Sequence, residues 1–233
     1  MGTSMHPRAG IKAALVTAAV GLLICTPATA DAAEPEALGV PGDVVDMPLR
    51  SALQALDVQE EVRAGYERSR FRHWVDADKD GCNTRQEVLK EEASLAPDVG
   101  ANCSISGGQW YSSYDDTYVR DAKGLDIDHL VPLAESWDSG ASAWSGAERQ
   151  AYANDLGDSR ALLAVTAKTN RSKSDKDVAE WLPPFEATRC GYVADWIAVK
   201  TRWQLSVDPA EATALAEAAD SCPNGPVRVT LAR

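Results

Sequence analysis

His129 is the residue whose type and setting best suit chemistry. It stands in LDIDHLVPLAESW, residues 125–137, directly after Asp128. Imidazole has an ordinary pKa near neutrality, so at pH 7 it can take a proton from water. Asp128 supplies a hard anionic oxygen, and Asn170, in TNRSK, a neutral amide oxygen. Such a pair suits one divalent ion, Mg²⁺ or Mn²⁺, with coordination positions left for water and phosphate. Hydrolysis of a phosphodiester is one reaction that needs an activated water and charge compensation together. A histidine in a strand-like stretch is more often structural, so the weight falls on what surrounds it.

Arg160, Lys168, Arg171, Lys173 and Lys176 cluster around Asn170 with Asp175 as the one acid among them. At physiological salt, charges screen one another beyond about 8 Å, so a local basic patch can attract phosphate on an acidic protein. Arg171, Lys173 and Lys176 are the expected phosphate contacts. Nothing suggests a helix reading base edges, so the expected recognition is non-specific, of DNA and, by the same contacts, RNA.

A second cation signal lies at residues 76–87, DADKDGCNTRQE. It fits D-x-D-x-D-G followed after five residues by Glu. Asp76, Asp78 and Asp80 would offer carboxylates, Cys82 its carbonyl and Glu87 a bidentate carboxylate, around a structural Ca²⁺. The competing readings are an acidic turn without an ion, and a cleft role for Arg85 and Glu87.

These residues need elements to hold them. Residues 125–130 alternate apolar and acidic side chains, a strand pattern that Pro132 ends. ALLAV at 161–165 fits a buried strand, and residues 169–173 open a helix expected to run towards Pro183. Asn83 and Ser145 are N-cap candidates for RQEVLKEEA and GAERQAYAND. Leu49, Leu53, Leu56, Tyr66, Phe71 and Trp74 suggest helical pieces. Tyr192, Val193, Trp196, Ile197 and Trp203 recur at helical spacing as core, and Pro209 opens a last helix. Successive strand side chains face opposite ways, so Asp128 and His129 cannot share one face unless the strand bends. The expectation is a bend, with His129 aimed by a carbonyl accepting from Nδ1–H.

The order of LDIDHLVPLAESW, YANDL and LLAVTAKTNRSKSDKDVAEWLPP, with FRHW and DGCNTRQEVL upstream, resembles the HNH, or ββα-metal, nucleases. It is closest to small secreted members that share a domain with the C-terminal part of GmrSD-type restriction endonucleases, over roughly residues 66–222. The resemblance implies an α+β fold around a ββα-metal core wrapped by helices, with His129 as general base, Asp128 and Asn170 as ligands, and 5′-phosphate products. Where such nucleases often carry an Asn that locks the His-bearing loop, this chain has Ala161, and Asn154 is the nearest substitute.

The chain has 233 residues, a formal charge of −12 and 45% hydrophobic residues, which suits an ordinary globular protein. Arg8 and Lys12, an apolar stretch at 13–25 and A-T-A at 28–30 read as a secretory signal cleaved after Ala30. A loose leader at 31–46 and one domain at 47–233 would follow: extracellular, monomeric and without a membrane anchor. Four cysteines remain after cleavage, with no close C-x-x-C pair, so two disulfides are expected rather than zinc. Three connectivities are open; Cys82–Cys103 and Cys190–Cys222 are favoured because each brackets a local stretch. A rival of another class is a non-catalytic, calcium-stabilised extracellular binding module. A phosphatase or lipase would need more His/Asp ligands, or a serine nucleophile elbow.

Overall fold

The computed structural model describes residues 1–6, 10 and 38–233. The apolar run and cleavage site of the expected signal, and leader residues 31–37, lie outside the described residues. Residues 1–6 carry no regular element. Strand β1 (Val44–Pro48) begins inside the stretch expected to be loose leader: Val45 points into the core between exposed Val44 and Asp46. It pairs antiparallel with β9 (Pro226–Thr230), whose Val227 and Val229 are also buried. Helix α1 (Leu49–Gln54) follows directly.

The next expected helical piece is absent. Between α1 and α2 (Thr84–Glu91) there is one short 3₁₀ turn at Arg68–Arg70. Gly65 and Trp74 both take positive φ and break any helix there. Phe71 instead inserts singly, edge-on to Trp137 and Tyr152. Asn83 caps α2 through a capping box with Gln86, as its position suggested.

The Gly/Ser/Tyr-rich stretch forms short strands. β2 (Ala93–Leu95), β5 (Gln109–Ser112) and β6 (Thr117–Val119) make a small antiparallel sheet, and β3 (Asp98–Val99) pairs with β4 (Ile105–Ser106). Strand β7 (Leu125–His129) leads through Pro132 into α3 (Leu133–Asp138). Helix α4 (Gly146–Ala153) is capped by a box between Ser145 and Glu148.

Strand β8 (Leu162–Thr166) lies antiparallel to β7, with Leu162 opposite His129 and Leu163 opposite Asp128. Helix α5 (Ala167–Lys173) starts with no intervening loop and packs on both strands. It ends at Lys173, where Ser174 takes φ 54°, far short of Pro183. Helices α6 (Arg189–Trp203) and α7 (Pro209–Asp220, capped by Asp208) close the core with Tyr192, Trp196 and Trp203 buried.

The result is an α+β fold with two disulfides. Cys82–Cys103 ties the segment before α2 to the turn ahead of β4, and Cys190–Cys222 joins the start of α6 to the chain after α7. In the chain-entropy model loops of 21 and 32 residues are worth about 3–4 kcal/mol each. Inside, Lys200 is sealed between Glu135 (2.7 Å) and Glu211 (2.6 Å), joining α3, α6 and α7. Among the described residues no helix is long and apolar enough to cross a membrane.

Candidate active site

Strand β7 stays regular through His129, so the expected bend does not occur and Asp128 and His129 face opposite ways. His129 turns towards the end of α4, where its Nε2 lies 3.0 Å from the Ala153 carbonyl. A carbonyl only accepts, so Nε2 carries the hydrogen and Nδ1 keeps the lone pair. The carbonyl support expected for His129 is present, but on the other ring nitrogen. Ala153 can provide it because the last turn of a helix leaves carbonyls without partners.

The ring stacks on Trp74 (centroids 5.6 Å apart) and, more distantly, on Tyr152 (6.5 Å). Burial drives its pKa down to about 3, so at pH 7 the imidazole is neutral.

Asn154 serves this arrangement indirectly. Its Oδ1 accepts from Val75 N–H (3.0 Å) and the Thr84 hydroxyl (2.7 Å), and its Nδ2 donates to the Arg72 and Gln150 carbonyls (both 2.7 Å). It therefore fixes the 72–75 segment that lays Trp74 on His129, rather than the His129 segment itself. Behind it, Asp155 takes the Arg202 guanidinium (2.7 Å) and the Trp203 indole (2.8 Å), locking the end of α4 to α6.

On the other face, α5 covers β7 in register. Asn170 Nδ2 lies 3.3 Å from the Asp126 carboxylate, and Lys173, one turn on, reaches Asp128. Asp128 is buried: Lys173 Nζ lies 2.9 Å from Oδ1 and 2.8 Å from Oδ2, and the Tyr114 hydroxyl donates to Oδ2 at 2.6 Å. Burial pushes Asp128 up and Lys173 down, and each charge partly restrains the shift of the other. Lys173, expected on a phosphate, is 0% exposed and also donates to the His129 carbonyl. It is an internal counter-ion.

A cavity of ≈ 260 Å³ opens at the end of β7. Asp128, His129 and Asn170 all line it, with Arg68, Arg171 and Asp175 among the other walls. The three residues expected to act together thus all border one cavity, although the Asp128 and His129 side chains leave the strand on opposite faces. The donor chemistry fits a hard divalent ion. Among the described residues Asn170 Oδ1 accepts no hydrogen bond, and Asp128, which accepts from Tyr114 and Lys173, keeps acceptor positions open.

Arg171 is exposed at the rim, 3.5 Å from Asp126, and Lys176 is exposed with Nζ on the Ser172 carbonyl. Arg85 is not at the rim: it donates to the Ala122 and Leu125 carbonyls and secures the start of β7. Sequence reasoning missed Arg68 and Asp126. The alternation of Asp126 with Asp128 was the available signal for the second; Arg68 had none, since only the fold carries it to β7.

In the 76–87 loop the carboxylates of Asp76, Asp78 and Asp80 have oxygens within 4.8 Å of one another. Gly81 takes φ 95° and the loop amides bond back to all three. Glu87 points to Lys90 (3.0 Å), and the Cys82 side chain is held in its disulfide.

Residues 83–218 match the family model for GmrSD restriction endonucleases, C-terminal domain. The chain is also similar to an uncharacterized secreted protein of Arthroderma benhamiae, 38% identical over 174 residues, which covers 74% of this chain and 84% of that protein. No solved structure matches it significantly. The matched segment holds every residue of the β7–β8–α5 unit and more than half of the chain, so the chain belongs to the family of the GmrSD restriction endonuclease C-terminal domain.

Proposed function

We propose that the protein is a secreted, metal-dependent, non-specific endonuclease that hydrolyses DNA, and by the same chemistry RNA, with β7, β8 and α5 as its ββα-metal core. The observation that carries this reading is a neutral imidazole, held through Nε2–H with Nδ1 free, beside a cavity walled by an amide oxygen, a carboxylate and two arginines.

His129 Nδ1 would take the proton from the attacking water. Its basicity is low while the cavity holds no anion, and an entering phosphate raises it, as any nearby negative charge does. Arg68 and Arg171 bind the phosphate oxygens and offset the charge that builds on them. Asp128 and Asn170 would hold one Mg²⁺ or Mn²⁺, which supplies Lewis-acid stabilisation of the phosphate and the departing 3′-oxygen. The products then carry 5′-phosphates. Lys173 keeps Asp128 aimed, and Asn154 keeps Trp74 against the catalytic ring.

The loop at 76–87 is proposed as a structural Ca²⁺ loop, supported by its three clustered carboxylates, with Glu87 released from Lys90 on binding. Family membership, a secreted relative and two disulfides support extracellular action.

Plasmid nicking by the chain from Asp31 onward is the test. Activity is expected to vanish in chelator, return with Mg²⁺ or Mn²⁺, and be lost by at least 10²-fold in His129→Ala. Cleavage indifferent to chelator, or retained in that variant, would overturn the mechanism. Nucleic-acid or surface binding without cleavage in any metal would favour the non-catalytic module.

A further inference from the structure

Away from the cavity, acids from four separate segments converge. Glu61, Glu135 and Asp138 form one group whose ligand oxygens lie within 4.8 Å of one another, and Glu61, Asp177 and Asp208 form a second. Two oxygens bound to one ion at about 2.4 Å lie at most about 4.8 Å apart, so each group is compact enough to reach a shared cation.

The protein's own cations are mostly committed elsewhere. Lys200 is spent between Glu135 and Glu211, and Arg63 takes one oxygen of Asp138 (Oδ2). Among the described residues no Lys, Arg or His forms a salt bridge with Glu61, Asp177 or Asp208.

An independent observation points to a ligand. The Asp138 side chain is 0% exposed, and its other oxygen, Oδ1, has no hydrogen-bond partner. A sealed carboxylate oxygen without a donor costs about 1–3 kcal/mol or more, a penalty that a bound cation would remove.

We propose that the two groups, which share Glu61, form a Ca²⁺-binding pocket lined by Glu61, Asp138, Asp177 and Asp208 and backed by Glu135. It would join the 58–63 segment, the end of α3, the turn after α5 and the N-terminus of α7. Only oxygen donors are offered, and several are carboxylates from unrelated segments. Ca²⁺ accepts six to eight such oxygens in irregular geometry, whereas Mg²⁺ keeps most of its waters and takes one or two carboxylates.

Besides the Arg63–Asp138 pair, the segment bearing Glu61 is held among the described residues by two backbone bonds, Gln59 N–H to the Val207 carbonyl (2.9 Å) and Val62 N–H to the Asp138 carbonyl (3.4 Å). Leu133 of α3 and Ser174 and Asp175 ahead of Asp177 line the nuclease cavity, so the ion would brace two of its walls.

The test uses CaCl₂ alone, with no nucleic acid, and reads Tm of the chain from Asp31 onward. Glu61 is exposed, so Glu61→Gln is expected to fold, and Asp177→Asn serves as the second variant. In chelator Glu61→Gln should melt no lower than wild type, because it removes repulsion. Calcium at 100-fold over Kd should raise wild type by about 5–10 °C. Both variants should lose more than half of that rise, so that wild type overtakes Glu61→Gln. Asp78→Asn with Asp80→Asn, in the other loop, should keep at least half of it. No rise in wild type, or an undiminished rise in Glu61→Gln and Asp177→Asn, would overturn the site.

Discussion

His129 and Ala153 stand 24 residues apart in the chain and 3.0 Å apart in space, joined by a ring N–H on a helix-end carbonyl. That bond fixes which nitrogen keeps its lone pair. It also makes His129 part of the core, stacked between Trp74 and Tyr152. The proposed general base is therefore costly to remove, and His129→Ala should lower stability by about 1–3 kcal/mol along with activity.

The buried ring also sets an acid limb of stability. Its folded pKa is about 3, against about 6.5 unfolded, so between those values the unfolded chain binds the proton that the native chain refuses. Stability contributed by neutral His129 is complete above pH 6.5 and declines as pH falls towards 3, by a few kcal/mol in all. Urea unfolding at pH 4 and pH 7 should show this loss in wild type and a clearly smaller one in His129→Phe. Equal losses in the two proteins would mean that the ring is not held neutral.

Lys173 separates a buried counter-ion from a phosphate contact. Lys173→Met should destabilise by about 3–5 kcal/mol, because Asp128 would remain buried without its partner. Adding Asp128→Asn should recover part of that loss. The salt dependence of DNA binding should not change in whichever variant stays folded. A Lys173→Met protein of normal Tm with weaker, less salt-sensitive binding would return the residue to the phosphate surface.

Arg68 and Arg171 should behave in the opposite way. Arg68→Ala and Arg171→Ala should each weaken DNA binding about equally across sequences. Each should reduce the slope of log K against log salt by about 1, with Tm little altered. Fluorescence anisotropy in chelator, where cleavage is stopped, measures this. A sequence-dependent loss would instead indicate base reading.

Much of this protein was decided locally. Asn83 with Gln86 and Ser145 with Glu148 fix the starts of α2 and α4 through neighbours three residues apart. The alternation at 125–129 makes β7, and the DH…NRSK order selects the residues around the cavity. Such features depend on contacts within one turn or one strand, so spacing alone expresses them.

The tertiary structure decided what distant segments do to one another. It put Lys173 on Asp128 instead of on phosphate, because α5 lies across β7 in one particular register. It drew Arg68 to the cavity, Asn154 to the backbone under Trp74, and Glu61 beside acids more than 70 residues away. Burial and partner identity, which set charge state and accessibility, arise only when the chain packs. No periodicity within a segment encodes them.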